Sequence, residues 1–221
     1  MNNPFRENTK YTTDNNKNFD IKAVVKTDID MVVDRHVGTL QQALDDLMLK
    51  LYLRNPKYWR LDGFTSAKNK VLSIGATNDD SLSKKLNNKR SIDSIRLAFE
   101  NDFKGDRVLA FVFGLKSMLR DSYGGRDEFY LMDQLDPQKL YNAARNIEVA
   151  VWMLSNERDD KGDLYLISNE LKGTLKNLSF ERLFGKLIAL QDSSAYIVAD
   201  STNRTIKNVI QGLAGFVFLP I

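Results

Sequence analysis

The nine residues DIDMVVDRH at 28 to 36 bring three aspartates, Asp28, Asp30 and Asp34, close to His36, the only histidine of the chain. Carboxylates beside an imidazole are the usual materials of a metal site or a general acid–base pair. Helical spacing separates them. His36 shares a stripe with Val33 and Leu40, whereas Asp34 lies two positions away and therefore about 200° round the helix. Asp30 and Asp34 stand one turn apart, but two carboxylates without a third fixed ligand make a weak site. The expectation is a hydrogen-bonded histidine in the core or in a groove, with a catalytic or pH-sensing histidine and a metal ligand as the alternatives.

Elsewhere the chemical motifs are sparse. ERDDKGD at 157 to 163 has the look of a calcium loop, but counting back from Gly162 puts Lys161 where an oxygen ligand belongs, so a solvated turn is expected. There is no GxSxG, SxxK, GxxxxGK or GxGxxG, and the glycine pair in SYGGRDE reads as a helix terminator. The absence of cysteine excludes disulfides, thiolate zinc sites, iron–sulfur clusters and cysteine nucleophiles. No catalytic residue, metal ligand or cofactor is assigned on this basis, and a non-enzymatic role is favoured.

Two groups of side chains read better as surfaces. LYLRNPKYWR places Arg54, Lys57, Tyr58, Trp59 and Arg60 at the end of a helix, where they either cover the end of the bundle or contact a partner or headgroup. Tyr141, Arg145, Glu148 and Trp152 form a stripe beside the apolar face of a later helix; Arg145 and Glu148 can pair, and with His36 these residues are candidates for a groove. Asp200 and Arg204 pose the same choice between an exposed face and a shared polar network.

The elements that would position these groups are helical. From 27 to 54, Ile29, Val33, His36, Leu40, Leu44, Leu47 and Leu51 repeat at steps of three or four, and RNP at 54 to 56 ends the helix. Residues 61 to 90 lose the period and read as a variable surface region with room for one short helix. A second helix opens at Ser91 and carries Ile92, Ile95, Phe99 and Phe103 to the break at KGD. Val108 to Leu115 is apolar nearly all round, as in the middle of a bundle, and LDPQKL is a strong helix start. LYLISNELKGTL reads as a short hairpin or a loop. From Ser179 one helix of about 40 residues could follow, unless DSTN at 200 to 203 splits it. GLAGFVFLPI at 212 to 221 is too short to span a membrane and reads as a helix end packed into the core, with an interfacial or partner-bound tail as the alternative.

The fold class expected is all-α: a single-domain helical bundle with long amphipathic helices over 26–221, one short β-hairpin at most, and residues 1–25 as a tether or arm. At 221 residues the chain can bury one good core. A net charge of only +3, with 32 basic residues dispersed among 29 acidic ones, is no nucleic-acid footprint.

The strings VVKTDIDMV, LMLKLYLRNPKYW, LDPQKLYNAARNIEVAVWML, LSFERLFGKLIALQD and ADSTNRTIKNVIQGLAGFVFLPI resemble a functionally uncharacterised family of Gram-negative bacterial envelope proteins that commonly carry a lipoprotein signal. The likeness runs from about residue 20 to the end, apart from 61 to 90, and brings no catalytic residues. It implies a periplasmic location with a lipid anchor, whose cysteine would lie upstream of Met1. The expected role is a scaffold or accessory protein that binds other envelope proteins, in a secretion or transport assembly for instance. The alternative is a small-molecule or lipid binder, or an enzyme of unknown type, using a groove near His36.

Overall fold

Leucines at helical spacing make the first long helix the spine of the molecule. In the computed structural model, which describes residues 28–125, 135–169, 178–209 and 217–221, this helix is α1 (Asp28–Arg54). Its stripe Val33, Leu40, Leu44, Leu47 and Leu51 is almost wholly removed from water. The expected tether at 1–25 lies outside the described residues.

Four short helices follow: α2 (Pro56–Leu61), α3 (Ala67–Gly75), α4 (Asp79–Lys84) and α5 (Ser91–Leu97). Three long ones come after these among the described residues: α6 (Arg107–Ser122), α7 (Pro137–Asn156) and α8 (Ser179–Thr202). The long helices close a ring in which α1 packs on α8, α8 on α7, α7 on α6 and α6 on α1. Phe111, Val112, Leu115, Ile147, Phe184, Leu187 and Ala195 fill its centre with Leu47 and Leu51. The fold is an all-α helical bundle.

The caps explain where the long helices start and stop. Asp106 accepts the amide of Leu109 at the head of α6, and Asp136 accepts that of Gln138 ahead of Pro137 in α7. After α6, Gly124 and Gly125 are both left-handed, and the Gly125 amide returns to the Arg120 carbonyl. Asn203, at φ 52°, does the same for α8, so the helix ends within DSTN and does not run on to Pro220.

Four further expectations differ from the structure. Residues 61–90 hold two helices, and Leu82 and Leu86 join the core. The helix opened at Ser91 stops at Leu97 because the buried Arg107 guanidinium takes the carbonyls of Ala98 and Phe103 at 2.8 Å each, in place of helical amides. Phe99 and Phe103 are buried all the same, the former edge-on to Phe111. No strand occurs among the described residues, where the only pairing is an isolated antiparallel bridge from Arg158 to Leu164; of LYLISNELKGTL, residues 170–175 lie outside them. Residues 217–221 are not a helix end; they lie on the α7 surface with no regular structure.

Close approach of α5 to α6 depends on small residues. Ser94 Oγ donates to the Ala110 carbonyl at 2.8 Å, and the Ser91 amide donates to Ser117 Oγ at 2.7 Å. Gly114 sits between them, where a Cβ would come within 2.7 Å of the Ile95 backbone nitrogen.

Candidate functional site

His36 is half-buried on α1, and its Nδ1 lies 3.0 Å from Ser194 Oγ on α8. Ser194 is inaccessible and also bonds to Tyr123, whose hydroxyl donates to Gln191 Oε1 at 3.1 Å. Gln191 in turn donates to Ser122 Oγ. The histidine is thus the outer end of a polar chain that ties α1, α6 and α8 together. A serine beside an imidazole suggests a nucleophile and its base, but Ser194 is 0% exposed and no substrate can reach it. Burial lowers the His36 pKa and pushes the Tyr123 phenol up to about 12. Asp30 is buried and Asp34 half-buried, and among the described residues no three metal-binding side chains converge.

Arg145 occupies a different place. Its Nη2 bridges Asp192 at 2.7 Å and Glu148 at 3.0 Å, while its guanidinium lies over the Tyr141 ring. Asp192 and Ser194 are two positions apart, about 200° round α8. His36 and Arg145 therefore face opposite sides of that helix and do not line one groove. Tyr141 is buried and its hydroxyl pairs with the amide and carbonyl of Val209, whereas Trp152 is 39% exposed. Burial pushes both Glu148 and Asp192 upward, against the pull of Arg145.

The aromatic and basic group after α1 divides in the same way. Tyr58 belongs to the core and donates to the Tyr165 carbonyl, so it is not part of an exposed surface. Arg54 is half-buried at the end of α1, and Lys57 lies over the Tyr58 ring. Trp59 packs partly on the core with the Arg60 guanidinium stacked 4.8 Å from its centroid, and Leu61 beside them is 59% exposed.

Two kinds of polar site were not marked by sequence spacing. Lys70 on α3 is only 2% exposed; its ammonium pairs with Asp62 and, at 3.1 Å, with Asp106, between the rings of Tyr52 and Phe64. Tyr52 also donates to Asp106 at 2.7 Å, so one aspartate caps α6 and joins it to α1 and α3. The hydrogen bond from Lys70 holds Asp62 below the usual carboxylate range, while burial pushes Tyr52 far up. The second kind is a set of amide side chains that grip backbone. Asn55 exchanges two hydrogen bonds with Ile167, Asn146 two with Leu219 and Gln138 two with Lys207; Asn142 donates to the Pro220 carbonyl. The three α7 amides fall at i, i+4 and i+8, a spacing that in sequence looks like a solvated face.

The uncommitted surface lies elsewhere. Asp46, Leu49, Lys50 and Leu53 of α1 face Ser179, Arg182, Leu183 and Lys186 of α8 across a shallow groove of 450 Å³. Leu49 and Leu53 lie off the core stripe of α1, a signal present in the sequence. A second, deeper pocket of 260 Å³ is walled by Val37, Leu40 and Leu44 on α1 and Leu119 and Tyr123 near the end of α6. Among the described residues no helix is long and apolar enough to cross a membrane. The fold and these sites define a helical-bundle domain whose interior polar groups tie its elements together. No protein-family model, curated protein or solved structure matches the chain.

Proposed function

We propose that this protein is a non-catalytic binding domain of the bacterial envelope, a periplasmic, lipid-anchored scaffold or accessory component that holds other envelope proteins. The observation that carries the binding role is the division of its polar groups. Lys70, Asp106, Arg145, Asp192 and Ser194 are engaged with one another or with neighbouring helices, while Trp59, Arg60 and Leu61 present an aromatic, a cation and an apolar side chain at the surface. Such side chains are the common anchors of protein interfaces. The envelope location rests on the resemblance of the sequence.

Crosslinking in envelope extracts tests the reading. A specific protein adduct should form with the wild-type chain and weaken with Trp59→Ala or Arg60→Glu. An adduct indifferent to both substitutions would remove α2 from the contact, and no adduct at all would remove the role.

A second reading has its own support in the pocket beside Val37, Leu40 and Leu44, which joins apolar walls to the polar and charged side chains of Gln41, Asp79, Lys116 and Arg120. A small ligand with an apolar body and a charged end would fit it. Native mass spectrometry of protein isolated from its host would show the retained mass; a clean apo mass counts against this reading.

A further inference from the structure

The groove between α1 and α8 is built from two stripes of equal period. Residues 46, 49, 50 and 53 on one side and 179, 182, 183 and 186 on the other both follow i, i+3, i+4, i+7, the spacing with which a helix presents one face to another helix. The two helices run antiparallel here, since His36 meets Ser194 while Lys50 lies over Phe180. Along α1 the stripe offers Leu49 and Leu53 one turn apart; Leu53 is 64% exposed. Along α8 it offers Arg182 and Lys186, also one turn apart, with Leu183 between them. Leu178, 48% exposed, extends the apolar surface next to Ser179.

The charges in this groove are unbalanced. Lys50, Arg182 and Lys186 have no carboxylate within ion-pair distance among the described residues, and Asp46 is the only acid in the lining. Burial and the neighbouring Arg182 hold the Lys50 ammonium below the ordinary lysine value, against the smaller pull of Asp46. Three cations gathered around half-covered leucines form an arrangement that an apolar ligand alone would leave repelling itself, and that an acidic ligand would relieve.

We propose that this groove seats an acidic amphipathic helix of a protein partner, with its apolar face on Leu49, Leu53 and Leu183 and its carboxylates on Lys50, Arg182 and Lys186. The inference rests on the binding role proposed above and names the chemistry of one partner. A helical occupant matches the one-turn repeat of both rows, and a concave seat between two helices suits a rod better than a flat bilayer. The chain's own N-terminal segment is a poor match in charge, because residues 1–27 carry five cations against three carboxylates.

The test uses the full chain and a labelled peptide of about 20 residues, long enough to hold a helix, with leucines at i, i+3, i+4 and i+7 flanked by glutamates. Fluorescence anisotropy should show saturable binding that weakens by about tenfold or more in the exposed double variant R182E/K186E and in Leu53→Asp, with unchanged thermal melting. A lysine-for-glutamate peptide should prefer R182E/K186E to wild type. Absent binding, or binding indifferent to these substitutions, overturns the proposal. So do flotation with anionic phosphatidylglycerol vesicles in place of peptide capture, and a dimer in sedimentation that R182E/K186E dissolves. If envelope crosslinking finds a partner dependent on Trp59 while the peptide fails, the groove is excluded and the binding role stands; if both fail, the binding role is excluded too.

Discussion

At the scale of single residues, buried polar groups set the sensitivity of the molecule to pH and to substitution. His36 is held below its ordinary value of 6.5 by burial. The folded state therefore binds fewer protons than the unfolded chain between the lowered pKa and 6.5, so stability is full above that window and falls as pH drops through it. Melting followed across pH 5 to 7, about the range where histidine titrates, should show this slope reduced in His36→Gln. Among the described residues, Arg145 is the cation that bridges Asp192 and Glu148. Arg145→Ala should cost about 2 kcal/mol in chemical denaturation, below the roughly 3–5 kcal/mol of a wholly buried pair because Glu148 keeps part of its hydration. Arg145→Lys should recover only part of it, since an ammonium keeps the charge but loses the guanidinium plane over Tyr141 and the Nη1 bond to its hydroxyl.

At the scale of elements, the contacts that decide packing are short and specific. Gly114→Ala drives a methyl group against the α5 backbone at Ile95 and Ser91 and should destabilise by about 1–3 kcal/mol, read as a fall in melting temperature. Asn146→Ala removes both hydrogen bonds to Leu219; amide exchange there should rise while the centres of α6 and α8 stay protected. The long helices are legible in sequence because their signals are local: the leucine stripe of α1 and the Asp136–Pro137 start of α7; the end of α8 is less so, because the left-handed turn at Asn203 interrupts an apolar period that reads on past it. The short ones are not. In α3 and α4 the buried positions include Lys70 and Ser83, residue types that read as surface until a distant carboxylate or carbonyl is in place. The early end of α5 follows from Arg107, nine residues beyond Ala98, and the partner of His36 lies 158 positions away. The notion of one groove shared by His36 and Arg145 failed for a geometric reason, because α8 stands between them.

At the scale of the whole molecule, the four-helix ring and its short helices share one apolar core, to which Tyr58, Ala67, Leu82 and Ile95 belong, and polar ties add to that packing. Tyr52 of α1, Lys70 of α3 and Asp106 ahead of α6 meet at one carboxylate, and the α7 amides fasten the segments around Lys207 and Leu219 to the same body. Among the described residues, Lys70, Asp106, Arg145 and Asp192 are thereby engaged, and the α2 end and the α1–α8 groove are the surfaces the proposed partner would use. The equilibrium unfolding curve of Lys70→Ala tests this most directly. With its cation gone, Asp106 remains buried beside Tyr52, and a loss of about 3 kcal/mol with an unchanged denaturant slope is expected. A midpoint equal to that of the wild type would contradict it, because a lysine this deeply buried would then contribute nothing to holding the helices together.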